Sequence, residues 1–286
     1  MIEDLATPIT MGILLGGLYT LIALGLSLIF GVMKLVNVAH GDFVILSSYV
    51  AFSLFTAFGI DPILALVLLV PAAFGLGWLV QTYLLNRAFK ISMEAPMIIA
   101  FGLSLIIQNF CQIMWTPLSR GLTTDYALNN LSLGPINLPL VYVLDFLAAV
   151  VVTLGLRAFL KYTYLGKAII ASSQNEKAAL LMGVKTRNIY IFTFALAIAF
   201  AAIAGVFLGL TFPFVPTSGV SFLIIAFGVV ILGGMGSVLG TLVGGIVFGL
   251  SQTLGGYFIG ANAQLLIAYL MVLVIMAIRP QGIFSR

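Results

Sequence analysis

Polar positions in this chain are few and bunched, and the stretches between them have the length of bilayer crossings. Apolar runs cover residues 9–33, 43–58, 63–85, 96–116, 138–160, 188–210, 220–233, 238–258 and 263–279. A hydrocarbon core of about 30 Å takes about 20 helical residues to cross, and the first run exceeds that. The second, seventh and ninth runs are short for a full crossing, which predicts tilted, re-entrant or half-length helices packed against protein. The runs are continuous, unlike the alternating segments of about ten residues that build membrane β-barrels. The expected fold class is an all-α polytopic membrane protein forming a single domain over residues 1–286. It has about nine transmembrane segments (eight to ten), some of them discontinuous.

Composition narrows the class further. Of 286 residues, 62% are hydrophobic and 7% charged, against about 25% charged in soluble domains, so a soluble globular protein is excluded. The net charge of +4 does not point to nucleic acid, because the basic residues are confined to membrane-flanking loops. A single cysteine, Cys111, rules out an intrachain disulfide. The start, Met1-Ile2-Glu3-Asp4, is acidic, whereas a cleaved signal peptide opens on a basic stretch; the first helix is therefore expected to be retained.

Positive charge predicts orientation, because cytoplasmic loops carry the excess of Lys and Arg. Arg87 and Lys90 follow the third run; Arg157, Lys161, Lys167, Lys177, Lys185 and Arg187 lie between the fifth and sixth; Arg279 and Arg286 follow the last. With nine crossings all three groups fall on one side, placing the N-terminus outside and the C-terminus in the cytoplasm. Glycines at small-xxx-small spacing, such as Gly12/Gly16, Gly205/Gly209, Gly236/Gly240/Gly244, Gly245/Gly249 and Gly256/Gly260, predict close helix packing within the bundle or at a subunit interface. Residues 21–36 also align without gaps to residues 223–238, each an apolar helix ending in a Gly-containing break. That pattern is expected of paired discontinuous helices in transporters.

Three polar features carry the functional expectations. The first is the junction at residues 34–42, holding Asn37, His40 and Asp42 between two apolar runs. Unpaired polar groups in hydrocarbon cost several kcal/mol each, so the junction predicts a sheltered place, a water-filled path or a protein seam. Asp42 precedes an apolar run and is expected to serve as an N-cap; His40, the sole histidine, is expected to be a hydrogen-bonded structural residue. The second is a stripe of Ser104, Gln108 and Gln112, four residues apart on one helix face with Asn109 and Cys111 beside it. It should face the bundle interior, bonding between helices or lining a path. Asp145 is expected near enough to the outer surface to reach headgroups or water.

The third feature is the loop at about 162–188. Ser173-x-x-Glu176 matches a capping box, predicting a short helix from Ser173 through Met182 with Gly183 as its left-handed C-terminal residue. Ala178, Leu181 and Met182 fall on one face at helical spacing. Such an apolar face packs on its own bundle, lies at the lipid interface, or enters a groove on a cytoplasmic partner. No phosphate-binding Gly-x-x-x-x-Gly-Lys-Ser/Thr loop occurs, so if ATP drives this protein, another polypeptide binds it. No Cys/His/carboxylate cluster has metal-ligand spacing, and no nucleophile–base pair stands out. Membrane-embedded carboxylates or histidines, which ion-coupled carriers use, are scarce. A stand-alone secondary transporter or channel for a small polar solute is the alternative.

The segments from Gly16 to Gly31 (GGLYTLIALGLSLIFG) and from Asn37 to Phe43 (NVAHGDF) strongly resemble the opening of permease subunits of branched-chain amino acid ABC importers. The stretch from Asn175 to Val184 (NEKAALLMGV) looks like that family's cytoplasmic coupling segment, and that from Phe227 to Thr241 (FGVVILGGMGSVLGT) resembles its glycine-rich region. The length, without an N-terminal extension, resembles the shorter of the two paired permeases. The resemblance implies a heteromeric importer in the bacterial inner membrane. This chain would pair with a homologous second permease subunit, two cytoplasmic ATP-binding subunits and an extracytoplasmic solute-binding protein. The implied cargo is leucine, isoleucine or valine, with urea, short amides and other amino acids carried by relatives. The translocation path would include Asn37, His40, Asp42, Ser104, Gln108 and Gln112. Coupling to the ATPases would run through Ser173, Glu176, Ala178, Leu181, Met182 and Gly183.

Overall fold

A helix that is apolar on every face is stable only in lipid or wrapped by other helices, and both situations occur in this chain. A computed structural model describes residues 2–92, 94–133 and 136–284; Arg286 lies outside the described residues. In chain order the principal helices are α1 (Ile2–Met33), α2 (His40–Phe58), α3 (Pro62–Val80), α4 (Ala95–Trp115) and α5 (Leu140–Tyr162). They continue with α6 (Tyr164–Gln174), α7 (Glu176–Leu181), α8 (Thr186–Thr211), α9 (Ser218–Gly233), α10 (Val238–Phe258) and α11 (Gln264–Ile278). Every apolar run in the sequence becomes a helix. Among the described residues eight helical stretches are long and apolar enough to cross a bilayer, and α9, at 16 residues, is shorter. Between α4 and α5 an antiparallel hairpin pairs Asn130–Leu133 with Ile136–Pro139.

Local signals set several of the ends. Asp61 caps α3, its Oδ1 accepting from Ile63 N at 2.9 Å and Leu64 N at 3.4 Å, with Pro62 at the first helical position. Gly59, at φ +66°, closes α2 in the left-handed region.

The helices α1 and α8 form the centre: 83% of the membrane-length window of each is buried, against 11% in the last crossing. Along α1 the neighbours are mainly glycine surfaces. Gly12 meets Gly249 and Leu250, and Gly16 meets Gly245 and Ile246, so that a methyl group at Gly16 would stand 2.6 Å from the Gly245 carbonyl oxygen. Close backbone approach supplies the packing energy where lipid offers no hydrophobic drive between helices. The small-residue spacing is therefore used within the chain. Gly260 is the exception: at φ +120° it lies in the turn after α10, with open space around it.

The bundle is organised by two helix–break–helix units of opposite direction. After α1 ends at Met33, the chain turns back along it before starting α2, so that His40 lies beside Ile22 and Gly25, two to three turns short of the α1 end. After α8 ends at Thr211, residues 212–217 turn back in the same way, and α9 starts beside the first turn of α2. Gly25 abuts Ala197, and Gly205 abuts Val44 and Ser48, so α1 and α8 run antiparallel while α2 runs with α8. This is an inverted-topology arrangement. The stretches that align in sequence, 21–36 and 223–238, play another part: they run in the same direction and end side by side, with Gly31 against Gly236.

The tail closes onto that same end. Gly282 packs on Gly234, and the amides of Ile283 and Phe284 donate to the carbonyls of Leu232 and Gly233 at 2.9 and 3.2 Å. The terminal carbonyls of α9 are thereby satisfied by chain rather than by water.

Candidate functional site at the meeting of two half-helices

The first turns of α2 and α9 meet inside the bundle. Gly41 lies against the carbonyl of Gly219, and any side chain at Gly219 would strike the carboxylate of Asp42. Glycine at both positions is what lets the two backbones touch. Each helix start leaves backbone amides without intrahelical acceptors and carries a partial positive charge, so two such ends converge on one spot.

The polar junction supplies the side chains there. Asp42 is the third residue of α2, buried, and is not the N-cap: that position is Ala39, which makes no side-chain capping bond. The expected cap is corrected because the helix starts two residues earlier, at His40, whose amide donates to the Asn37 carbonyl at 3.1 Å. Oδ1 of Asp42 accepts from Gln108 Nε2 at 3.1 Å, and Gln108 also reaches Ser104 Oγ at 3.2 Å. Oδ2 of Asp42 has no hydrogen-bond partner. His40 is fully buried, with Nε2 2.8 Å from the Ile22 carbonyl oxygen and Nδ1 unpartnered. Asn37 is fully buried, and neither atom of its amide is hydrogen-bonded.

The stripe on α4 is brought to this cluster in graded fashion. Ser104 and Cys111 are buried against the bundle, Gln108 and Gln112 are half-buried, and Asn109 is exposed, donating to its own helix at Leu105 O, 2.8 Å away. Only Ser104 and Gln108 join the hydrogen-bonded group at Asp42. At the end of α4, a further cluster forms that the sequence reading missed. Tyr49 stacks on Trp115 at 5.1 Å and meets Phe214 edge-on at 4.8 Å, while the Arg120 guanidinium lies 5.5 Å from the Phe52 ring. Arg120 is pinned by paired backbone bonds with Phe214 of 3.0 and 2.8 Å.

Asp145 departs from its expected place near headgroups. It is fully buried between helices and accepts from Thr211 Oγ1 at 2.7 Å, because Gly17 lets α1 close over the neighbouring Phe146. Among the described residues no group of three His, Cys, Asp or Glu could hold a metal ion.

The loop helix also forms, with a corrected start. Ser173 lies inside α6 and donates to Ile170 O at 2.7 Å; the cap of α7 is Asn175, whose Oδ1 accepts from Ala178 N at 3.0 Å. Glu176 is therefore the first helical residue rather than the third. Gly183 has φ +82°, in the left-handed region. Ala179 packs inward, and Ala178, Leu181 and Met182 stay exposed, the latter two at 88% and 84%. An apolar surface of that kind on a six-residue helix is left without a cover by this chain.

Comparison with known proteins fits these elements. A family model described as branched-chain amino acid transport system / permease component matches residues 9–276. The chain is 28% identical over 294 aligned positions to the high-affinity branched-chain amino acid transport system permease protein BraD of Pseudomonas aeruginosa, covering 96% of this chain and 94% of that protein. It is 27% identical over equal coverage to LivH of Escherichia coli, a permease protein of the same kind of system. Among solved structures, PsaBC from Streptococcus pneumoniae in complex with Fab superimposes with a TM-score of 0.53 at 14% identity, covering 95% of this chain and 92% of that one; this likeness concerns the fold alone. With the model spanning all nine apolar helices and both half-helix breaks, the chain belongs to the permease component family of branched-chain amino acid transport systems.

Proposed function

We propose that this chain is the membrane-spanning subunit of an ATP-driven importer that moves branched-chain amino acids into the cytoplasm of a bacterium, across its inner membrane. The observation that carries the reading is the pair of inverted half-helices meeting at Gly41 and Gly219 beneath a matching family signature. Discontinuous helices of opposite direction place helix ends and irregular backbone at the middle of the bilayer, where alternating access needs a polar station. The full machine contains a homologous second permease subunit, two cytoplasmic ATP-binding subunits and an extracytoplasmic solute-binding protein.

In this reading the charged end of the bundle is cytoplasmic. Every described Lys and Arg except Arg120 belongs to the end where α1 finishes and α8 begins, which agrees with the positive-inside rule. Closure of the ATPases pushes on α7 through Leu181 and Met182 and is passed to α8. The path runs along the seam between α2, α4 and α9, with Asp42, Ser104 and Gln108 at its narrow point and Gln112 towards the outside. Asn37 and His40 hold the break behind it.

Reconstitution tests this. Proteoliposomes containing the chain with its permease, ATPase and binding-protein partners are expected to accumulate leucine only when ATP is supplied on the ATPase side. Uptake by this chain alone, driven by an ion gradient, would replace the reading with a secondary carrier.

A further inference from the structure

Among the described residues no cation acts on the carboxylate of Asp42. The side chains that act on it are Ser104 and Gln108, both neutral, and Oδ2 is unbonded in a residue that is 1% exposed. A buried carboxylate without an opposite charge is among the most costly groups to hold. What faces it instead is the first turn of α9, at Gly219, whose free amides and helix dipole accept an anion. The place thus has two halves: an acid that lacks a cation, and beside it, at Gly219, the start of a helix whose amides make no bond to that acid.

We propose that this seam, when opened, binds a zwitterionic α-amino acid directly, Asp42 receiving the ammonium group and the first-turn amides of α9 receiving the carboxylate. The inference deepens the importer reading and rests on it. The two charges of an α-amino acid hang on one carbon, so a receptor for both must set an anion and a group of N–H donors side by side. Asp42 against Gly219 does so. With α2 and α9 in contact there is no room between the Asp42 carboxylate and the α9 first turn; parting the two helices opens space for both charged groups of the solute. The edge of the seam reaches the surface of the chain, where Val220 and Ser221 of the α9 first turn are exposed and Gln108 is half-buried. Solutes with one charge or none, such as urea or amides, satisfy half of this site or none of it.

The permease–ATPase complex without its binding protein isolates recognition by the membrane subunits. Its thermal unfolding is followed with leucine, with 4-methylpentanoate, which lacks the ammonium group, and with 3-methylbutylamine, which lacks the carboxylate. Leucine is expected to raise the midpoint and the two truncated compounds to leave it unchanged. In the complete importer, Asp42→Asn is expected to cut leucine uptake per ATP by about tenfold or more, the scale for truncating a desolvated charge pair, and Asp42→Glu to restore most of it. Equal stabilisation by 4-methylpentanoate, no shift with leucine, or wild-type uptake by Asp42→Asn would each overturn the proposal. If Asp42→Asn fails to assemble, the wild-type series with the three compounds still decides. A wild-type importer that moves no amino acid with ATP and all partners present sinks the importer reading instead.

Discussion

Nε2 of His40 donates to the Ile22 carbonyl at 2.8 Å, tying the first residue of a half-helix to the middle of the central helix α1. A carbonyl only accepts, so the ring carries its hydrogen on Nε2. Gly25 makes the room: a Cβ there would meet His40 Cε1 at 2.6 Å and the Ala197 carbonyl oxygen at 2.6 Å. His40→Leu removes the tether and puts a branched tip against that glycine, which should lower stability by about 1–3 kcal/mol. Unfolding of the purified protein in detergent measures this. A His40→Leu protein as stable as the native one would show that the tether is idle and that the break is set elsewhere.

The glycines sort into two groups with opposite expected responses. Gly245→Val puts a branched side chain into the contact with Gly16 and Thr20, where even a methyl group would collide with Thr20 Oγ1 and stand 2.5 Å from the Gly16 carbonyl oxygen; overpacking of this kind costs about 1–3 kcal/mol or more. Gly102 lies on α4 with nothing within 4 Å of a built Cβ, and there Gly102→Ala should gain about 0.5–1 kcal/mol from helix propensity. Heat-induced loss of the monodisperse detergent peak separates the two. Equal behaviour would mean that packing between α1 and α10 does not limit stability.

How much of this was legible in the sequence follows from which interactions are local. The nine apolar helices could be read because bilayer thickness sets the usual length of an apolar run, though only eight of them are long enough to cross. The Gly183 terminus of α7 could be read because left-handed backbone needs glycine there. The start of α7 could not: Ser173 and Asn175 are both good caps, and the choice fell to Asn175 because α6 buries Ala168, Ile169 and Ser172 and so continues through Ser173. Asp42 resembled a cap for the same local reason, but the helix start was moved to His40 by contacts with α1 and α9, more than 10 residues away in one direction and more than 100 in the other. The contacts of Asp145 with Thr211 and of Asp42 with Gly219 and Gln108 join distant segments, and no spacing in the chain announces them.

The exposed tip of α7 gives a prediction about coupling. Leu181 and Met182 touch little of their own chain, so Leu181→Asp leaves the fold's packing intact; exposed substitutions of this sort stay within about 0.5 kcal/mol. On the proposed coupling route the same change places a charge in the apolar face that would meet the ATPase, where desolvation opposes contact. Expression and detergent stability should match the native protein, while leucine uptake per ATP hydrolysed falls. Normal uptake by Leu181→Asp would show that force from the ATPases enters at another segment. Ala179→Asp is the control: Ala179 is buried against the bundle, and a charge there should damage the fold itself.

The orientation is open to labelling because the one native cysteine is buried. Cys111 lies among apolar groups on the inner face of α4, so a membrane-impermeant maleimide has little to react with in the native chain. A cysteine at Leu181, 88% exposed, and one at Leu118, 63% exposed, lie at opposite ends of the bundle. Leu118 belongs to the stretch carrying Arg120, the sole described cation at that end, whereas Leu181 sits among Lys177, Lys185 and Arg187. Retention of Lys and Arg on the cytoplasmic side then predicts that Leu118→Cys is labelled in intact spheroplasts and Leu181→Cys only in inside-out vesicles. The opposite pattern would put α7 on the outer face, where no ATPase could reach it, and would remove the coupling route through Leu181 and Met182 together with the inward direction of transport.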